Sequence, residues 1–191
     1  MSTGLPTLGD LDWRPAVEHR DLLADPVAAA LVAWAGADAR VATQVAVAPI
    51  DPEHADTATL NEVHGLPPEA SANCVVVAGR RGEAERVAAC VVPATTSADV
   101  NTRVRKLLDA RKASFLPQDR ATAESGMAYG GITPLGVPES WRVLVDDRFA
   151  APGTLALMGS GVRHSKVLMP GPLLCEAPGV EVIDSLGVER G

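Results

Sequence analysis

The segment Gly126-Met127-Ala128-Tyr129-Gly130-Gly131-Ile132-Thr133-Pro134-Leu135-Gly136 holds four glycines and a proline within eleven residues. Glycine is costly inside a helix or strand and proline removes a backbone donor, so the segment is neither. It is suited to bringing bare backbone N–H and C=O groups close to a ligand. Tyr129 is its one side chain with any acid–base capacity, so chemistry here would rest on backbone, with help from elsewhere. On composition alone, a turn needing positive φ is the simpler account of Gly130 and Gly131.

Working outward, a short helix near Asp119 to Ser125 runs into the segment. Before it, Ala98 to Ala110 reads as a helix with Val100, Val104, Leu107 and Leu108 on one side. Its other side carries Arg103, Arg105 and Lys106, with Arg111 and Lys112 just beyond. Strands are predicted after the segment at Trp141 to Asp146, Thr154 to Met158, Lys166 to Met169 and Val180 to Ile183. Upstream, Asp25 caps and Pro26 opens a helix that Gly36 ends, with Val27, Leu31 and Trp34 at helical spacing. Val41 to Ile50 alternates as a strand, and Thr57 to His64 is a helix closed by Gly65. Asn73 to Ala78 and Arg86 to Val92 form a hairpin through Gly79-Arg80-Arg81-Gly82. Residues 1–24 read as an N-terminal extension anchored by Trp13, and residues 25–191 as one compact α+β domain.

Composition narrows the function classes. A chain of 191 residues with 47% hydrophobic and 21% charged residues fits one globular domain. No apolar run reaches the roughly 18 residues of a membrane span, and the N-terminus lacks a signal-peptide pattern, so the sequence reads as cytoplasmic. A net charge of −7 argues against a broad basic surface for DNA, and six aromatic residues leave little for a base-stacking platform. Cys74, Cys90 and Cys175 form no C-x-x-C pair, and His19, His54 and His64 show no metal-ligand spacing. No metal or cofactor is expected.

The order of features carries a resemblance. A Ser71-Ala72-Asn73-Cys74-Val75-Val76-Val77 strand and a hairpin partner ending in Val92-Pro93 precede a helix opened by Asp99. Arg111-Lys112-Ala113 and the Gly126…Gly136 segment follow, then Val143-Leu144-Val145-Asp146, Gly159-Ser160-Gly161 and Met169-Pro170. The series, from about Asp25 to Ile183, resembles the YbaK/ProX family of aminoacyl-tRNA editing domains. Ser125 stands where threonine is common in that family's loop. The resemblance implies a mixed, mostly antiparallel sheet curled toward a barrel and flanked by helices. It also implies hydrolysis of tRNA mischarged with a small amino acid, in trans to a synthetase or within one. Family members with demonstrated editing carry a lysine where this chain has Asn73, and no lysine precedes Lys106. An asparagine can donate and accept but cannot replace that charge.

The resemblance assigns a pocket. Gly130 and Gly131 present backbone to the reacting carbonyl, where one oxyanion donor is worth about a hundred- to a thousand-fold in rate. Asn73, Ile132, Thr133 and Pro134 would hold the substrate. Asp146 is either an exposed strand-end carboxylate or the partner of the substrate's amino group. Ser160 and Gly161 are either a simple turn or a hydroxyl and flexible backbone at the pocket. Arg103, Lys106, Arg111 and Lys112 would touch the tRNA acceptor end through phosphates, or else form a solvated face. The function expected is a free-standing aminoacyl-tRNA deacylase. The alternatives are a non-catalytic tRNA- or ligand-binding relative that has lost its lysine, and a hydrolase of another small ester or thioester.

Overall fold

A computed structural model describes residues 4–189; the outermost ends of the expected extension and domain lie outside the described residues. The first half of the chain runs β1 (Arg14–Pro15), α1 (Asp25–Ala37), α2 (Arg40–Gln44), β2 (Ala46–Pro49), α3 (Thr57–His64), β3 (Ala72–Arg81) and β4 (Ala84–Pro93). It continues through β5 (Thr96–Ala98), α4 (Arg105–Leu107), β6 (Lys112–Phe115), α5 (Gln118–Ser125) and β7 (Trp141–Asp146). The last part holds β8 (Leu155–Gly159), β9 (Ser165–Pro170), α6 (Gly171–Cys175), β10 (Val180–Ile183) and β11 (Gly187–Glu189).

Helices and mostly antiparallel strands mix in one α+β fold. The larger sheet has the order β10-β7-β4-β3-β6, the smaller β1-β2-β9-β8, and β11 pairs with β5. Among the described strands only the β4–β7 and β7–β10 ladders are parallel, with one isolated parallel bridge between Ser71 and Leu157. Strands β4 and β7 are largely buried, as parallel strands usually are, while β10 is the outer strand and leaves Val182 exposed. Val27, Leu31 and Trp34 of α1 pack with Val91, Val143 and Val145 of the larger sheet and Val47, Val167 and Met169 of the smaller. On the opposite face, Val100, Val104, Leu108 and Leu186 cover Val77, Cys90 and Leu144. Among the described residues the ladders form open sheets, and none closes the expected curl into a barrel.

Helix α3 forms over the expected residues. Asp56 accepts from the Thr59 N–H at 3.0 Å, and Gly65 closes it at φ 60°. Elsewhere tertiary packing overrides local pattern. Asp25 is the first helical residue of α1 and Ala24 occupies the cap position, while Gly36 lies inside the helix. The expected strand from Val41 is helical through Gln44, because burying Val41 against α1 outweighs its strand propensity. The hairpin turns later than expected, at Gly82 with φ +61°, and Gly79 stays in β3, where Leu108 and Ala110 press on it. Residues 98–110 are not one helix: a π-helical turn at Val100–Val104 leads into short α4, and Lys112 opens β6. No helix among the described residues is long and apolar enough to cross a membrane.

Candidate functional site

A cavity of about 580 Å³ opens between α3, the start of β3, the end of β8 and the glycine segment. That volume is in the range of small-molecule sites. Strand β6 covers the edge of β3 only from Val77 onward, so Asn73, Cys74 and Val75 lie along an open edge at the cavity. Leu60, Val76, Ile132, Leu157 and Met158 supply apolar wall. Phe115 and Tyr129, 61% and 58% exposed, stand at its mouth, so two of the few aromatic residues are placed where a base could stack.

Asn73 lines the cavity, and its Oδ1 accepts from the Thr57 hydroxyl at 3.0 Å. Gly130 and Ile132 also line it. Gly131 sits behind them: its N–H donates to the Ala128 carbonyl at 2.9 Å, and its carbonyl accepts from the Gly161 N–H at 2.8 Å. A Cβ on Gly131 would lie 2.5 Å from the Val162 carbonyl oxygen, so glycine is required there for close approach. The Gly131 amide, expected to face the reacting carbonyl, is therefore spent within the turn.

Other expected residues are placed elsewhere. Thr133 and Pro134 are buried outside the cavity wall, and the Thr133 hydroxyl has no hydrogen-bond partner among the described residues. Asp146 is fully buried, not an exposed strand end, and does not line the cavity. Its carboxylate accepts from the Gly187 N–H at 2.7 Å and the Arg148 N–H at 3.1 Å, which ties the end of β7 to β11. Ser160 is fully buried and hydrogen-bonds Ser165 (Oγ···Oγ 2.7 Å), and Gly161, at φ +84°, packs on Ala24 and Val27. Both belong to a tight turn that local pattern could not tell from a site.

The basic set is divided. Arg103 donates to the Asp184 carbonyl at 2.5 Å and pairs with its carboxylate at 3.2 Å. Lys106, Arg111 and Lys112 are exposed, and Lys112 begins the strand whose other end, Phe115, reaches the cavity.

Two cavity residues were not singled out in the sequence. Arg163 reaches over Gly130, donating to the carbonyls of Tyr129 at 3.3 Å and Pro52 at 3.1 Å. Lys166 is 7% exposed, and its Nζ donates to the Ala55 carbonyl at 2.7 Å. Burial, and then the nearby Arg163, push its ammonium down to about 8, against the pull of Asp56. The available signal was a lone charge in the apolar run Val167-Leu168-Met169, in a strand that both sheet neighbours cover. Cys74 also lines the cavity, but burial and the neighbouring Cys90 push its thiol well above the ordinary range, which makes it a poor nucleophile.

Residues 51–175 match the family model of the aminoacyl-tRNA editing domain. No curated protein matches the chain in sequence. Solved structures of similar fold include hypothetical protein APE2540, at 17% identity and TM-score 0.66, covering 81% of this chain and 97% of that one. A candidate trans-editing enzyme for prolyl tRNA synthetase aligns at 15% identity and TM-score 0.64, over 85% of this chain and 98% of its own. A protein from a study of epitope grafting onto scaffolds by computational design aligns at 16% identity and TM-score 0.68, over 88% and 97%. At such identities the likeness is one of fold.

Proposed function

Since the chain belongs to the aminoacyl-tRNA editing domain family, we propose that it hydrolyses the ester of tRNA mischarged with a small amino acid. The observation that carries this reading is the cavity itself. It joins an open strand edge at Asn73 to Val75, a glycine turn at Gly130 to Ile132, and an exposed aromatic pair at the mouth. The aminoacyl group would enter among Leu60, Val76, Ile132 and Leu157, which offer an apolar wall to its side chain. The terminal base would stack on Phe115 or Tyr129, each such stack contributing about 1–3 kcal/mol. Lys106, Arg111 and Lys112 would meet acceptor-stem phosphates, and Arg103, already paired with Asp184, would contribute less. Such an activity has a clear use, because a binding pocket separates amino acids differing by one methylene by only about 1–3 kcal/mol.

The test is deacylation of a panel of mischarged tRNAs by the purified chain. Turnover of tRNA carrying cysteine, alanine or serine is expected; no release above buffer for any pairing would sink the reading. A second reading, a binding module without catalysis, draws on Asn73, a neutral amide whose oxygen already serves Thr57. Catalysis that appears only after Asn73→Lys would favour it.

A further inference from the structure

The chain has three lysines, Lys106, Lys112 and Lys166, and only Lys166 is buried. Burying an ammonium is costly unless hydrogen bonds or an opposite charge compensate. Among the described residues Nζ makes one hydrogen bond, to Ala55, and no ion pair. An ammonium has three N–H donors, so two are unspent at the wall of an otherwise largely apolar cavity.

Its position adds a second observation. Lys166 lies opposite Gly159 in the β8–β9 ladder. A Cβ on Gly159 would sit 2.3 Å from the Gly131 carbonyl oxygen and 3.1 Å from that of Ile132. The glycine turn therefore rests on the same rung of the sheet that carries the lysine. A group held against Gly130 and Ile132 comes to the face on which Lys166 stands. The turn itself has already spent the Gly131 amide on Ala128.

We infer that Lys166 is a catalytic residue whose Nζ donates to the carbonyl oxygen of the aminoacyl ester and holds the oxyanion formed as water adds. The inference rests on the deacylase reading above. The water oxygen bonds to the carbonyl carbon while the π pair moves onto the carbonyl oxygen, beside the two free N–H groups. Collapse breaks the bond to the ribose oxygen, which takes the proton given up by the water. Free amino acid and an intact ribose hydroxyl leave, and Lys166 keeps its proton throughout. The charge thus comes from β9, not from the β3 position that Asn73 occupies.

The experiment compares the intact chain with Lys166→Met, Lys166→Arg and the double variant Lys166→Met/Asn73→Lys on mischarged tRNA. Lys166→Met is expected to lower kcat by about a hundred- to a thousand-fold, with affinity for uncharged tRNA within about twofold. Lys166→Arg keeps the charge and is expected to lose less, and the double variant to recover part of the rate. A folded Lys166→Met protein with kcat within threefold of wild type overturns this assignment and leaves the deacylase reading standing. If Lys166→Met fails to fold, the wild-type chain is labelled on lysine nitrogen and titrated with a non-hydrolysable 3′-aminoacylamino-3′-deoxyadenosine. The Lys166 resonance should move, and an unmoved resonance at saturation overturns the assignment. A wild-type chain that neither deacylates any tRNA nor binds this analogue overturns both readings.

Discussion

Gly159 and Lys166 are cross-strand partners on β8 and β9, and the missing side chain of the first lets the Gly131 carbonyl settle against the rung that carries the second. One backbone approach thus sets the distance between the glycine turn and the buried cation. The neighbouring Gly131–Val162 contact is equally intolerant of a Cβ.

Gly159→Ala is expected to destabilise the fold by about 1–3 kcal/mol, because the added methyl meets backbone that cannot rotate away. Gly36→Ala is the contrast. Gly36 lies exposed inside α1, its Cβ would meet nothing within 4 Å, and the substitution should stabilise by up to about 1 kcal/mol. Urea denaturation of both variants checks the pair. Equal effects would show that the close approach at Gly159 is absent.

The state of Lys166 predicts a pH dependence. Asp56 and Arg163 are the charges that act on it, and Cys74 and Tyr129 are the other titratable groups on the cavity wall. If the ammonium form holds the oxyanion, kcat/KM corrected for spontaneous hydrolysis falls as pH rises through about 8. Stability moves the other way. Between about 8 and the ordinary lysine value, the unfolded chain keeps a proton that the folded protein has released. Folding therefore gains stability as pH rises through that window. Urea midpoints at pH 7.5 and 9.5 should show wild type gaining on Lys166→Met; parallel changes would refute the shift.

Asp146→Ala tests the structural role of a carboxylate that is buried where β7 meets β11. Its loss strands the N–H groups of Gly187 and Arg148 and leaves Arg148 without its anion. Unfolding free energy should drop by about 2 kcal/mol or more. A loss below 0.5 kcal/mol would show that the two amides find other partners.

Thr133→Val replaces a buried, unpartnered hydroxyl by a methyl of similar shape. An unsatisfied buried polar group costs about 1–3 kcal/mol, so this substitution should be neutral or stabilising. A clear destabilisation would reveal a partner for the hydroxyl, such as a bound water.

Much of the fold was legible because local signals and tertiary needs agreed. Helix α3 has a side-chain cap at Asp56 and a left-handed Gly65. The hairpin β3–β4 is written in β-branched runs. The reading failed where packing opposed propensity, as at Val41, or where regularity broke into a π-helical turn, as at Val100–Val104. Site residues divided in the same way. The glycine segment announced close backbone approach, but its letters could not say which glycine meets the cavity and which meets Val162. Asp146 and Ser160 showed polar groups beside apolar strands; the distant Gly187 amide reveals the first as an internal tie, and burial with a bond to nearby Ser165 reveals the second.

The sequence by itself determined the α+β class, the glycine turn and the family, because these rest on local pattern and on the order of motifs. Tertiary structure alone decided what reaches the cavity. Lys166 arrives from a strand 93 residues beyond Asn73 in number, since pairing of β9 with β8 and β2 turns its side chain inward against α3's entry at Ala55. A sheet makes neighbours of residues by register, and register with distant strands is not written in any short stretch of the chain.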